Sequence, residues 1–242
     1  MKRLSTLIIS LTFGLQAFAQ TGYEYLYKAE VSIESFTDKA ANGDILFAVD
    51  SYNDTAAFFH RLIVQRLDIQ GSIKQTASVF RPPSFRMIGG IKATSDNGVL
   101  LMGTVNIPLE DADSVFVTKL NDMGQISWSK GFQVEPNIHV PHGAIETGDG
   151  SYLVYGTYEH VNFAEGIFLI KISSTGSLVW SRTINSQLNG AFMKVGGIVE
   201  AANGDFWLSG STRFNSEGSW LAKLNNLGET QSVLFLNTHK LT

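Results

Sequence analysis

Short apolar runs punctuated by glycine-bearing turns fill the chain from about residue 31 to residue 236. One stretch shows the pattern well, with runs near Gly90–Thr94, Val99–Val105, Val115–Leu120 and Gln125–Phe132. Val, Ile, Leu, Phe and Trp fill these runs, as the pleated, half-covered surface of a strand favours. In the last of them Ile126 and Trp128 alternate with Ser127 and Ser129, the period of two that marks a strand. No segment sustains a 3.6-residue apolar period, so the pattern predicts strands and no long helix.

The runs repeat. Gly71, Gly124, Gly176 and Gly228 stand 53, 52 and 52 residues apart. Four positions before them lie Leu67, Leu120, Ile172 and Leu224, and eight before them Ile63, Phe116, Phe168 and Trp220. Four after the two central glycines stand Trp128 and Trp180, where the outer repeats carry Gln75 and Ser232. A second turn recurs as Asn42-Gly43, Asn97-Gly98, Asp149-Gly150 and Asn203-Gly204, which reads as a two-residue type I′ hairpin turn with positive φ at both residues. Two anchors in four copies establish a repeat of about 31–80, 86–132, 142–184 and 195–236. Four antiparallel strands, A to D, in a period of ~40–50 residues predict a β-propeller blade. The expected fold is therefore all-β, a propeller domain over 20–242 with four repeats.

The stretch Thr147-Gly148-Asp149-Gly150-Ser151-Tyr152-Leu153-Val154-Tyr155-Gly156-Thr157 carries a family resemblance, together with Phe168-Leu169-Ile170-Lys171-Ile172 and Gly176-Ser177-Leu178-Val179-Trp180-Ser181. It resembles the propeller repeats of secreted bacterial surface proteins, some termed delta-60-like repeats. These often precede a sorting domain for type IX secretion. The resemblance spans essentially the whole mature chain and implies a blade, not an activity. Residues up to Thr242 are expected to depart from that pattern, with no sorting domain among them after the fourth repeat. Tyr23–Glu30 has the character of a strand D, yet the fourth unit supplies its own near Glu229–Leu236. That surplus predicts either further blades or domains beyond Thr242 or a four-unit ring that closes differently.

The N-terminus belongs to export rather than to the fold. Met1-Lys2-Arg3 is basic, Leu4–Phe13 is apolar but too short to span a bilayer, and Ala17-Phe18-Ala19 has the small-x-small form of a cleavage site. Residues 1–19 thus read as a signal peptide cut before Gln20, with a secreted, periplasmic or cell-surface destination. Without Lys2 and Arg3 the mature chain has 18 − 2 = 16 basic against 22 acidic residues, a net charge of −6. That balance disfavours nucleic acid as a partner, and neither a polybasic segment nor a second long apolar run suggests a membrane anchor. With no cysteine, stability must come from core burial, for which 44% hydrophobic residues provide the material.

Alternation of four strands puts the A–B and C–D turns at one edge of a blade and the B–C and D–A loops at the other. The turns are short and uniform. The B–C loops (Ser51–His60, Asn106–Ser114, Tyr158–Gly166, Arg213–Gly218) and D–A loops (Phe80–Gly89, Gln133–Gly143, Ile184–Gly196) differ in every unit. Uniform turns opposite variable loops suggest a scaffold face and a binding face. Phe58, Phe59, His60, Tyr158, His160 and Phe163 are the loop aromatics and imidazoles suited to stacking on a sugar ring or a protein side chain. Phe58, His60, Tyr158, His160 and Phe163 are the candidate ligand-binding residues.

Other constellations are weaker. His139-Val140-Pro141-His142, with Glu146 nearby, lacks the spacing of a zinc signature. Glu110, Asp111 and Asp113 lack the order and glycine of a calcium loop. The recurring Arg66, Lys119, Lys171 and Lys223 read as a solvent-facing edge position on strand C. No metal or other cofactor is expected. The chain contains neither the Asp-box turn of sialidase propellers nor a Gly-x-Ser-x-Gly elbow nor a phosphate loop. The reading is a non-enzymatic binding or surface-structural propeller, its partner a protein or a glycan. The alternative is a hydrolase or lyase acting on polysaccharide.

Overall fold

The computed structural model describes residues 31–52, 60–80, 85–107, 112–134, 138–159, 165–185, 192–213 and 218–237. The expected signal segment 1–19 lies outside them. The described residues are all-β. The first blade contains β1 (Val31–Lys39), β2 (Ile45–Tyr52), β3 (His60–Leu67) and β4 (Ile73–Phe80), and the second β5 (Phe85–Ala93), β6 (Val99–Ile107), β7 (Ala112–Leu120) and β8 (Ile126–Phe132). The third contains β9 (Ile138–Glu146), β10 (Tyr152–Glu159), β11 (Glu165–Ile172) and β12 (Leu178–Asn185). The fourth contains β13 (Phe192–Glu200), β14 (Phe206–Arg213), β15 (Gly218–Leu224) and β16 (Thr230–Asn237). Each blade is a four-stranded sheet in sequential order, antiparallel throughout. The chain forms two compact units, Met1–Pro83 with the first blade and Ser84–Thr242 with the other three.

All eight A–B and C–D turns use one device. The first turn residue donates its N–H to the carbonyl four residues on and accepts from the N–H three residues on, as Thr147 does with Ser151 and Gly150. These bonds measure 2.7 to 3.1 Å. A single residue per turn, from Gly43 to Gly228, has φ between +59° and +90°. A type I′ turn needs two such residues, so the two-residue expectation is corrected. These are three-residue loops, a type I turn followed by one left-handed residue. In the second blade that residue is Asn97, at φ +59°. Gly98 serves a different end, because a Cβ there would lie 2.2 Å from the Lys119 ammonium and 2.3 Å from the Leu120 carbonyl.

Within the Ser84–Thr242 unit the blades stack face to face, with β9 beside β5 and β13 beside β9 and β11. Alternation in the third blade therefore feeds two cores. Val154, Phe168 and Ile170 join Leu100, Met102 and Val117 of the second blade. Leu153, Ile167 and Leu169 join Phe206, Leu208 and Trp220 of the fourth. All of these are buried, which is why β10 and β11 read as unbroken apolar runs rather than as alternating strands.

Two further kinds of contact join the second blade to the third and the third to the fourth. The Trp128 indole donates to the Ser174 carbonyl at 2.9 Å and covers Gly176 in the C–D turn of the third blade. Trp180 covers Gly228 of the fourth blade and meets Phe206 edge-on at 6.3 Å. A Cβ on either glycine would stand 2.7 Å from an indole carbon. At the A–B edge Glu146 accepts from the Ser95 N–H at 2.6 Å and its hydroxyl at 2.7 Å. Glu200 accepts from the Gly148 N–H at 2.6 Å. Both contacts join second to third and third to fourth blade at matching positions.

The inner strands β5, β9 and β13 begin earlier than the pattern suggested. Pairing skips Gly89, His142 and Gly196, a β-bulge at the same point of each of these inner strands, and β5 skips Arg86 as well. A bulge interrupts the alternation on which a strand is recognised. Pro141 disguised β9 further, but proline is tolerated there because β9 is an edge strand of its sheet. Opposite the bulges Gly156 pairs with Phe168 and Gly210 with Trp220. The missing side chains leave room for those rings and for the Val140 and Lys194 carbonyls.

Candidate functional site

The turn edge is a frame of ion pairs. The expectation that Arg66, Lys119, Lys171 and Lys223 face solvent is overturned. Arg66, Lys119 and Lys171 are buried, at 8%, 3% and 7% exposure. Each cation reaches back along its sheet to an acid in the A–B turn: Arg66 to Asp44 at 3.7 Å, Lys119 to Asp96 at 2.8 Å, Lys171 to Asp149 at 2.7 Å and Lys223 to Asp205 at 2.9 Å. The long stems lie against apolar surface while the charge finds its partner, which alternation alone does not reveal. The acid holds either of two turn positions. Where the third position is Asn42 or Asn203, Asp44 or Asp205 follows two residues later and takes a bond from the Asn amide. Where it is Asp96 or Asp149, Gly98 or Ser151 follows. Burial opposes ionisation of Asp149, but bonds from Lys171, Thr147 and the Ser151 N–H outweigh it and hold its carboxyl far below the usual range. Asp96 is lowered similarly, its burial outweighed by Lys119, Thr94 and the Gly98 N–H. For Asp205 the Lys223 bond is the leading cause. These charges tie A–B turns to strand C, and their chemistry is structural.

The opposite half of the inner strands carries a different group. His142 sits on the β9 bulge and is exposed. Its Nε2 lies 2.8 Å from the Thr157 hydroxyl on β10. Lys194, also exposed, lies on β13 of the adjoining blade and acts electrostatically on the imidazole. Partial burial of the ring and the Lys194 ammonium hold His142 below its ordinary pKa, so it is neutral at pH 7. His139 does not converge with it. Its ring is fully buried on the other face of the blade, edge-on to Phe168 at 5.3 Å and tilted to Tyr158 at 6.2 Å. Its carbonyl accepts from the buried Thr104 hydroxyl of the second blade at 2.5 Å. The two histidines lie three residues apart on β9 and face opposite sides of the sheet. Among the described residues no group of three His, Asp or Glu gathers that could hold a metal ion.

Of the predicted ligand residues, Tyr158 belongs to strand β10 rather than to the loop after it. It is 7% exposed and sits in the core between second and third blades, so it supports the edge from beneath. Phe58, His160 and Phe163 lie outside the described residues. His60 opens β3, its backbone paired with Tyr52, and its side chain lies outside the description, as do Phe59, Glu110 and Asp111 and the Asp113 side chain. Sequence reasoning missed the bulge and the His142–Thr157 pair. One signal was available, since His142 falls where the neighbouring blades carry Gly89 and Gly196.

No protein-family model matches the sequence, and neither does any curated protein sequence. Solved structures match by fold. A crystal structure of an ACO/RPE65 chimera, a seven-bladed propeller, aligns over 87% of this chain with TM-score 0.52 and 11% identity. The alignment spans 51% of that chain. A GH43_1 enzyme from Xanthomonas citri aligns over 92% of this chain and 91% of its own, with TM-score 0.43 and 9% identity. The fold is that of β-propeller blades.

Proposed function

We propose that this chain is a non-enzymatic, exported binding module that takes a protein or glycan ligand at the blade edge bearing the B–C and D–A connections. One observation carries the reading: the two edges are built differently. All eight turns share one backbone form, and their polar side chains cap turns or close ion pairs. The opposite connections run over 53–59, 108–111, 160–164 and 214–217 between strands B and C, and over 81–84, 133–137 and 186–191 between D and A. They run from four to seven residues and no two share a sequence, and next to them the inner strands present His142 and Lys194 to solvent. Phe58, His160 and Phe163 beyond the strands, with His60 at the start of β3, are the contact groups this reading expects.

The test is a glycan array and a pull-down from the extracellular medium, each with three proteins. Replacing His160 and Phe163 together by alanine should abolish binding, whereas Asp122→Lys on a C–D turn should leave it intact. Tyr158 is left alone because its removal would open the core. Loss of binding in the turn variant alone would place the site on the other edge. Release of reducing ends from any polysaccharide in the array would make the chain a hydrolase or lyase.

A further inference from the structure

We infer that His142, Thr157 and Lys194 form a carboxylate-binding site between the inner strands of the third and fourth blades; its biological use rests on the binding reading above, its chemistry does not. The bulge is the origin. In the second blade the same position is Gly89, pressed so closely on the next inner strand that a Cβ would stand 1.9 Å from the Pro141 carbonyl. In the third blade an imidazole occupies the position, and it projects into solvent. Thr157 also departs from its counterpart. Thr104, one repeat earlier, is buried and gives its proton to the His139 carbonyl, whereas Thr157 is half-buried and faces His142 at 2.8 Å.

That hydrogen bond uses one proton whichever way it runs. If Thr157 donates to Nε2, the imidazole keeps its N–H at Nδ1. If Nε2 donates, the Thr157 O–H remains. Either way the pair retains a donor for a ligand. Lys194 adds an ammonium from β13, and among the described residues no carboxylate pairs with it, unlike Lys119, Lys171 and Lys223. A neutral donor beside a cation that no described carboxylate matches suits a planar anion that accepts at both oxygens.

The experiment is an NMR titration of the full mature chain, labelled at His and Lys, with sodium acetate at pH 7 and sodium chloride as the ionic-strength control. Glucuronate and neutral methyl glucoside follow as a second pair. Acetate and glucuronate should shift the His142 and Lys194 resonances saturably, and chloride and the glucoside should not. Lys194→Ala and Thr157→Val should each weaken acetate binding about tenfold, the usual effect of losing a bond to a charged group, while Lys194→Arg retains it. Shifts that never saturate, that chloride reproduces, or that saturate at the wild-type acetate concentration in Lys194→Ala would overturn the assignment. The two proposals fail separately. A chain that binds array ligands equally well in the Lys194→Ala and wild-type forms, with no acetate response, keeps the module and loses this site. A saturable acetate response with no array or pull-down partner does the reverse.

Discussion

Gly156→Ala puts the blade architecture to a quantitative test. Gly156 is buried in β10, between Phe168 on β11 and Pro141 on β9. An added Cβ would lie 2.1 Å from the Val140 carbonyl oxygen and 2.6 Å from two carbons of the Phe168 ring. Real Cβ contacts essentially never fall below 3.0 Å, so the carbonyl must retreat by 3.0 − 2.1 = 0.9 Å. Because that atom is backbone, no rotamer change relieves the clash. The retreat strains β9 where its bulge already interrupts the ladder. Overpacking of this kind costs roughly 1–3 kcal/mol, and a weakened ladder bond adds about 1 kcal/mol. The total, about 2–4 kcal/mol, is a large share of the ~5–15 kcal/mol typical of a folded domain. Gly131→Ala is the matched control, since no atom lies within 4 Å of its Cβ, and its effect should stay within about 1 kcal/mol of wild type, on the stabilising side. Urea unfolding at constant m-value reads both. Equal midpoints for the two variants would refute the packing of inner strand against blade described above.

Two further perturbations probe the links between and within blades. Trp180→Ala should cost about 2–3 kcal/mol, less than the ~3–5 kcal/mol of a fully buried indole because Trp180 is half-exposed; thermal unfolding at the wild-type temperature would show that its cover over Gly228 carries no weight. The depressed carboxyls of Asp96 and Asp149 make stability depend on acid. Their folded pKa values lie below the unfolded value near ~3.9, so the contribution is full above that value and is lost as pH falls towards the folded ones. Asp149→Asn should therefore lower the urea midpoint at pH 7, with a gap to wild type that narrows steadily as pH falls below the ordinary carboxylate range, and a constant gap would contradict the ion-pair account.

Much of this fold was legible because repetition multiplies weak signals. The glycine spacing located eight turns, and the alternation of Trp128 and Trp180 with serine marked side chains that lie between blades. The turn type was not legible, because Asn97-Gly98 is offset by one residue from Gly43, Gly150 and Gly204 in the turn frame and uses its glycine for space rather than for φ. The burial of Lys119 and Lys171 was hidden for another reason. A lysine stem can lie against apolar surface while its ammonium reaches an acid in the A–B turn, and alternation alone shows neither. The inner strands were obscured by their bulges, which placed His142 in an expected loop. Tyr158 was placed in a loop because its strand runs further than the apolar pattern. The bulge and the hydroxyl it brings to His142 depend on pairing register, which one chain read alone does not contain.

The central claim is that ligand engages the edge opposite the repeated turns, and hydrogen exchange with and without the first ligand found tests it most directly. Added protection should concentrate in residues 138–143, 157–159 and 192–197, where β9, β10 and β13 approach the variable connections. Protection confined to the turns at 40–44, 94–98, 147–151 and 201–205 would contradict it.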